Sequence, residues 1–268
     1  MALKDITLGQ YFPGDSLIHR FDPRAKILFT IFFIAAIFLC KHLVSYGISL
    51  VVLLVFIAIS RVQPRVFMKG MKPVVFIVVF TAILNLFYTS GTVLWSWGVL
   101  KITEEGIWKA GFMVLRILML IACTLLLTYT TSPILLTDGL ERLLRPLKKV
   151  GFPVHELSMM MSIALRFIPT LIQETDKIIS AQKARGADFD TGNLMQKAKA
   201  LIPILIPLFI SSFRRAEELA TAMECRCYHG DEGRTSLRQL TMKGRDWGLL
   251  VFSIALCAGL IVLRRFGL

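Results

Sequence analysis

The sequence predicts an all-α integral membrane protein with about five transmembrane helices plus three cytosolic amphipathic helices, and three observations carry that prediction. Of its 268 residues, 55% are hydrophobic, and the mean hydropathy is +0.66, too apolar for a soluble globular chain. Five apolar runs reach or approach the length of a bilayer crossing. Between the fourth and the fifth lies a basic region in which apolar residues recur at spacings of three and four, which marks one face of an α-helix.

Residues 1–24 are polar and broken by Pro13-Gly14 and Asp22-Pro23, so they are expected outside the bilayer. They lack the short apolar run and small-residue site of a removable signal peptide. The first span is predicted from Ala25 to Cys40 and the second from Val44 to Ile59, with Lys41-His42-Leu43 leaving room only for a tight helical hairpin. A third runs from Pro73 to Tyr88, a fourth from Gly106 to Tyr129, and a fifth from Trp247 to Leu263 between Arg245 and Arg264-Arg265. The chain thus divides into a membrane domain of four spans (1–130), a cytosolic region (131–245) and a last transmembrane helix (246–268).

Orientation follows from counting Lys and Arg. The segment up to Lys26 has 4, the next links 1, 4 and, with Lys109 at the start of the fourth span, 2, and residues 131–245 have 17. Positive charge stays on the cytoplasmic side, so the N-terminus, the second link and the long basic region are expected there. Arg264 and Arg265 run mildly against that sum.

Two rods dominate the basic region, one from His155 to Gly186 and one from Asn193 to Gly230. In the first, Leu157, Met160, Met161, Ala164, Leu165, Ile168, Leu171 and Ile172 lie on one face, with Glu156, Arg166, Gln173, Asp176 and Lys177 on the other. At 1.5 Å per residue each rod is on the order of 50 Å long. Leu201 to Phe213 of the second rod is apolar enough to suggest a short sixth span, but its length of about 20 Å falls short of the ~30 Å bilayer core. A helix lying in the membrane interface, kinked at Pro203 and Pro207, is expected instead. Ahead of both rods, Ser132-Pro133 opens a third amphipathic helix through Leu136, Leu140, Leu143 and Leu144, which Pro146 and Gly151-Phe152-Pro153 end.

Catalytic patterns are missing. The sequence has no G-x-x-x-x-G-K-[ST], H-E-x-x-H, G-x-S-x-G or G-x-G-x-x-G, so no catalytic residue is assigned and no cofactor is expected on this chain. The excess basic charge is not accompanied by a nucleic-acid-binding module, and no nucleic-acid partner is expected. Cys225, Cys227 and His229 lack the second ligand pair of a structural zinc site, so no metal is assigned. Five cysteines, three of them in apolar segments, give no disulfide framework. Arg116 and Asn85 are the polar residues inside spans that invite a transport role. Widely spaced intramembrane carboxylates, which ion-coupled carriers use, are absent from the spans.

Each rod ends on an arginine between small residues: Ala184-Arg185-Gly186 and Cys225-Arg226-Cys227. Capping explains the first by itself, because Gly186 suits the left-handed position and Arg185 complements the negative helix end. Two such ends suggest docking as well, since Arg offers a planar fork to a carboxylate and small neighbours permit close approach.

The chain resembles the transmembrane T component of energy-coupling factor transporters, the CbiQ-type family. The likeness is carried by Gly9-Gln10-Tyr11, Pro13-Gly14-Asp15-Ser16 and His19-Arg20-Phe21-Asp22-Pro23-Arg24-Ala25-Lys26, and by Arg142-Leu143-Leu144-Arg145-Pro146-Leu147. It continues in Ala164-Leu165-Arg166-Phe167-Ile168-Pro169, Ala181-Gln182-Lys183-Ala184-Arg185-Gly186 and Ala222-Met223-Glu224-Cys225-Arg226-Cys227-Tyr228.

The resemblance implies a multi-pass scaffold of the bacterial cell membrane whose three amphipathic helices are coupling helices. Its arginine ends would dock in two ABC-type ATPase subunits, which would bind the ATP and Mg. A separate small membrane subunit would capture a vitamin or other micronutrient, and Met160, Met161, Ala164 and Ile168 would face it as an adaptable packing surface. The family's second arginine motif usually ends in Gly, whereas this chain has Cys227, so the cap is expected from Gly230 and Arg185 is the better-supported docking residue. A self-sufficient secondary transporter is the alternative reading.

Overall fold

A computed structural model describes residues 11–40, 42–97, 100–187, 189, 193–230 and 240–265. Gly9 and Gln10 of the N-terminal motif and Lys41 of the first link lie outside the described residues. The described chain is helical apart from one hairpin, in the order α1 (Pro23–Leu39), α2 (Leu43–Ser60), α3 (Pro64–Tyr88), β1 (Val93–Trp97), β2 (Leu100–Thr103), α4 (Glu104–Thr130), α5 (Pro133–Leu144), a 3-10 turn (Arg145–Val150), α6 (Val154–Ala184), α7 (Leu194–Glu224) and α8 (Gly244–Arg265). It forms two compact units: Gly9–Leu140 with Leu240–Leu268, and Glu141–Gln239.

In the first unit, α1 is the hub, packing on α8, α4 and α2, while α3 packs on α4. Phe29 stacks on Phe33 (5.7 Å) and on Phe56 (4.6 Å), and Ile37, Tyr46, Leu53, Met119, Cys123, Leu249 and Leu260 complete the buried core. Helix α3 buries only Phe67 and Val78 and exposes Phe76, Ile77, Val79 and Phe80. Such a surface is sustainable against lipid tails and not against water.

Among the described residues, five helices are long and apolar enough to cross a membrane: α2, α3, α4, α7 and α8. The expected number is met with a different membership. Helix α1, at 17 residues, is shorter than any of these, although its sequence is almost wholly apolar. Helix α7 qualifies by length and composition because it runs through Pro203 and Pro207 for 31 residues, where a rod with an interfacial stretch kinked at those prolines was expected. Helix α3 also starts earlier than expected. Pro64 occupies its first turn, where a missing N–H costs nothing, and Pro73 lies inside the helix. The expected link before Pro73 is therefore mostly helix. The hairpin is a further departure: β1 and β2 are antiparallel, with Trp97 opposite Leu100 and a register shift between Val93 and Trp95.

The motif from His19 to Lys26 is a clasp that ties four chain segments together. Asp22 caps α1 by accepting the Arg24 N–H (2.9 Å) and pairs with the Arg24 guanidinium (3.0 Å), which also donates to the Leu240 carbonyl (3.0 Å). Buried Lys26 donates to the Thr130 carbonyl (2.9 Å) and Thr131 Oγ1 (3.2 Å), satisfying the open end of α4. Asp246, 1% exposed, accepts the Asp22 N–H through Oδ1 (2.9 Å) and the Lys243 N–H through Oδ2 (2.8 Å), binding the start of α8 to the start of α1.

His19 holds the segment before α1 in place. Its Nε2–H donates to the Phe12 carbonyl (3.0 Å), which leaves Nδ1 to accept from the Ser16 hydroxyl (2.7 Å). Burial is the main cause that holds its pKa below the ordinary histidine value, the added repulsion from Lys26 also lowering it. A depressed folded pKa means that the unfolded chain takes up protons first as pH falls. The contribution of His19 is therefore complete above about pH 6.5 and is lost as pH falls below that value toward the lowered folded pKa. We expect the melting temperature to decline over that window and His19→Gln to flatten the decline, measured by thermal unfolding at a series of pH values.

Candidate docking ends of the paired rods

In the second unit, α6 and α7 pack against each other in reversed sequence order. The Gln182 side chain donates to the Pro203 carbonyl (3.3 Å), Glu174 accepts from Arg215 (2.9 Å) and from the Ser211 hydroxyl, Arg215 lies over the Phe167 ring (5.8 Å), and the Tyr228 hydroxyl meets Met159 Sδ (3.1 Å). The pairing is antiparallel along nearly the whole length. Arg185 lies three residues beyond Gln182 at one end, and Arg226 lies two residues before Tyr228, which meets Met159, at the other. The 26 residues between positions 159 and 185 of α6 place the arginines on the order of 40 Å apart along the pair. Because Glu174 is the acceptor for both Arg215 and Ser211, Glu174→Ala is expected to destabilise the crossing by about 1–3 kcal/mol, read by thermal unfolding.

Two features start these helices. Asn193 and Gln196 form a reciprocal capping box on α7. Glu141 accepts from Ser158 Oγ (2.7 Å) and bonds His155 Nδ1 (3.0 Å), and this fixes the entry to α6.

The two arginine motifs share one backbone at their helix ends. At the end of α6, Gly186 N–H donates to the Lys183 carbonyl (3.0 Å) and Ala187 N–H to the Gln182 carbonyl (3.0 Å), with Gly186 at φ +88. At the end of α7, Cys227 N–H donates to the Glu224 carbonyl (2.9 Å) and Tyr228 N–H to the Met223 carbonyl (3.1 Å), with Cys227 at φ +53. Both are Schellman motifs, and in both the arginine immediately precedes the left-handed residue. The expectation that Gly230 supplies the second cap is thereby corrected: Gly230 is left-handed too (φ +88), but Cys227 closes the helix. Arg226 holds the same place in its motif as Arg185 does, so the expected preference for Arg185 has no basis in the backbone.

All six residues of the two motifs, Ala184, Arg185, Gly186, Cys225, Arg226 and Cys227, are exposed. A non-glycine residue in the left-handed region costs about 1–2 kcal/mol. Cys227→Gly is accordingly expected to stabilise the chain by about 1 kcal/mol and Gly186→Ala to destabilise it by a similar amount, measured as paired shifts in thermal midpoint.

Along the rods, Met160, Met161 and Ala164 are exposed and Ile168 is half-buried. The face of α7 carrying Leu201, Leu205, Phe209 and Phe213 is exposed at 50–67%, which on this scale marks an interaction or membrane surface.

Arg116 and Asn85 have local structural partners. Arg116 donates through Nε and Nη2 to the Tyr46 hydroxyl (2.9 and 2.5 Å) and through Nη2 to the Cys40 carbonyl (3.3 Å), closing the ends of α1 and α2 over α4. Asn85 donates to the Thr81 carbonyl one turn back (2.9 Å). Among the described residues, no group of three or more His, Cys, Asp or Glu side chains is arranged to hold a metal ion.

Comparison with known proteins adds a separate finding. The CbiQ family model, described as cobalt transport protein, matches residues 14–237. The chain is 56% identical over 238 residues, 89% of each chain, to the energy-coupling factor transporter transmembrane protein EcfT of Ruminiclostridium cellulolyticum. It is 54% identical over 262 residues to the protein of that name from Clostridium kluyveri, covering 97% of this chain and 95% of the relative. To the Bacillus subtilis protein it is 46% identical over 263 residues, covering 98% and 99%.

Proposed function

The chain belongs to the CbiQ family, as a transmembrane component of energy-coupling factor transporters, and on that premise we propose that it is the non-catalytic coupling scaffold of an ATP-driven importer. In this reading Arg185 and Arg226 each dock in one of two ABC-type ATPase subunits, which bind the ATP and Mg. Movement of the ATPases passes along α6 and α7 to a small membrane subunit that captures a vitamin or other micronutrient. Met160, Met161, Ala164 and Ile168 form part of the surface facing that subunit. The N-terminus and the rods lie on the cytoplasmic side of the cell membrane, as the distribution of Lys and Arg supports.

The observation that carries this reading is the duplication of one arginine-bearing helix end at opposite ends of an antiparallel pair. Two like ends call for two like pockets, and the pair between them is long enough to make displacement at one end felt along its length. Nothing in such a geometry performs chemistry; it transmits position. The test is affinity purification of the tagged chain from its native membrane. Two ABC-type ATPases and a small apolar membrane protein are expected with it. A chain that purifies alone and moves solute without ATP overturns the proposal and makes it a secondary transporter.

A further inference from the structure

The turn between α5 and α6 has properties that the coupling role does not account for. From Arg145 to Pro153 every residue is exposed. The segment carries Arg145, Lys148 and Lys149 and no acidic residue. Between these cations stand Leu147, Val150 and Phe152, exposed at 42%, 87% and 44%. A hydrated surface loop gains nothing from three large apolar groups within six residues, and a docking site for a free anion has no use for them. Alternation of cations with exposed apolar side chains suits the boundary between headgroups and acyl chains.

The backbone presents these side chains rigidly. Gly151, at φ +85, donates its N–H to the Lys148 carbonyl (3.1 Å), and Phe152 N–H donates to the Leu147 carbonyl (3.3 Å). This is a third Schellman closure, so Val150 is held outward by a hydrogen-bonded turn. The bilayer is within covalent reach. Fourteen residues separate Thr130, the end of α4, from Arg145, and twelve of them are helix α5. The connection therefore spans no more than about 30 Å.

We propose that the Arg145–Pro153 turn is a membrane-interface anchor. It seats Leu147, Val150 and Phe152 at the acyl boundary of the leaflet where α4 ends, and holds anionic phospholipid headgroups with Arg145, Lys148 and Lys149. The proposal is independent of the ATPase docking, because neither arginine end takes part in it.

The experiment places a photoreactive benzoylphenylalanine at position 150 of the full chain. The chain, with whatever subunits it purifies with, goes into nanodiscs of phosphatidylcholine alone or with phosphatidylglycerol, and adducts are identified by mass spectrometry. Phospholipid adducts enriched in phosphatidylglycerol over its share of the bilayer are expected. The combined variant Arg145→Gln, Lys148→Gln and Lys149→Gln should lower that enrichment by about tenfold or more, while Arg145→Lys should keep it. Adducts to protein, no lipid adduct, or lipid adducts without phosphatidylglycerol enrichment would each overturn the assignment.

Discussion

Arg185→Ala and Arg226→Ala are each expected to lose one ATPase contact, and the double variant to lose both. Truncating one member of a buried, hydrogen-bonded charge pair at an interface costs about 2–5 kcal/mol, or roughly 30-fold to several thousand-fold in affinity. Because the two ends lie on the order of 40 Å apart along the paired rods, the two losses should add with little coupling. The readouts are the amount of ATPase retained on the purified chain and the rate of ATP-dependent uptake, with membrane insertion of the chain unchanged. Arg185→Lys is expected to fall between wild type and Arg185→Ala, since an ammonium cannot reproduce the planar fork. Cys227→Gly serves as the internal control, because it keeps Arg226 on the same Schellman backbone and is expected to leave docking intact. Full ATPase retention by the double alanine variant would remove the arginine ends from the mechanism.

The membrane fold was legible because lipid imposes long apolar runs, and α2, α4 and α8 fall where those runs lie. Helix α3 was misplaced at its start because Pro73 looked like a boundary. The earlier Pro64 is the one at a first-turn position, and Pro73 is carried inside the helix. The second rod is found as one helix, α7, and the Leu201–Phe213 stretch expected in the membrane interface lies inside its 31 residues, which are long and apolar enough as a whole to cross a membrane. The hairpin escaped notice although Val93, Trp95, Trp97 and Ile102 are good strand formers flanking Gly98. Its strands are too brief to rise above the surrounding apolar pattern.

The candidate site divides in the same way. Arginines between small residues at the ends of periodic stretches were visible directly. That Cys227 takes the left-handed position was not, since propensity favours glycine there and local hydrogen bonds to the Glu224 and Met223 carbonyls override it. The antiparallel pairing was also invisible, because Glu174 meets Arg215 across 41 residues of sequence and no local rule matches such partners. The clasp is the extreme case. Asp246 reaches Asp22 over 224 residues, and only its place in the first turn of α8 hinted at a capping duty.

That hidden contact carries the other large expected effect, in Asp246→Ala. The carboxylate is 1% exposed and accepts two backbone N–H groups, from Asp22 and from Lys243. Lys26, itself buried, is within the electrostatic influence of both Asp22 and Asp246. Removing Asp246 leaves the buried Asp22 N–H and the partly buried Lys243 N–H without their acceptor and takes one of two negative charges away from a buried ammonium. Breaking one side of such an arrangement costs about 3–5 kcal/mol, which for a unit of this size lowers the melting temperature by on the order of 10 °C. Asp246→Asn keeps one acceptor oxygen but turns an amide N–H₂ toward an N–H donor, so a cost of roughly 1–3 kcal/mol is expected. The ranking wild type above Asn above Ala should appear in thermal unfolding, and amide exchange should accelerate at Asp22 and Lys243 before the rest of the unit. Equal melting temperatures for wild type and Asp246→Ala would mean that the start of α8 is held to α1 without Asp246, by the bonds of Arg24 to the Leu240 carbonyl and of Arg245 to the Arg20 carbonyl (2.7 Å), and the clasp would then rest on Asp22.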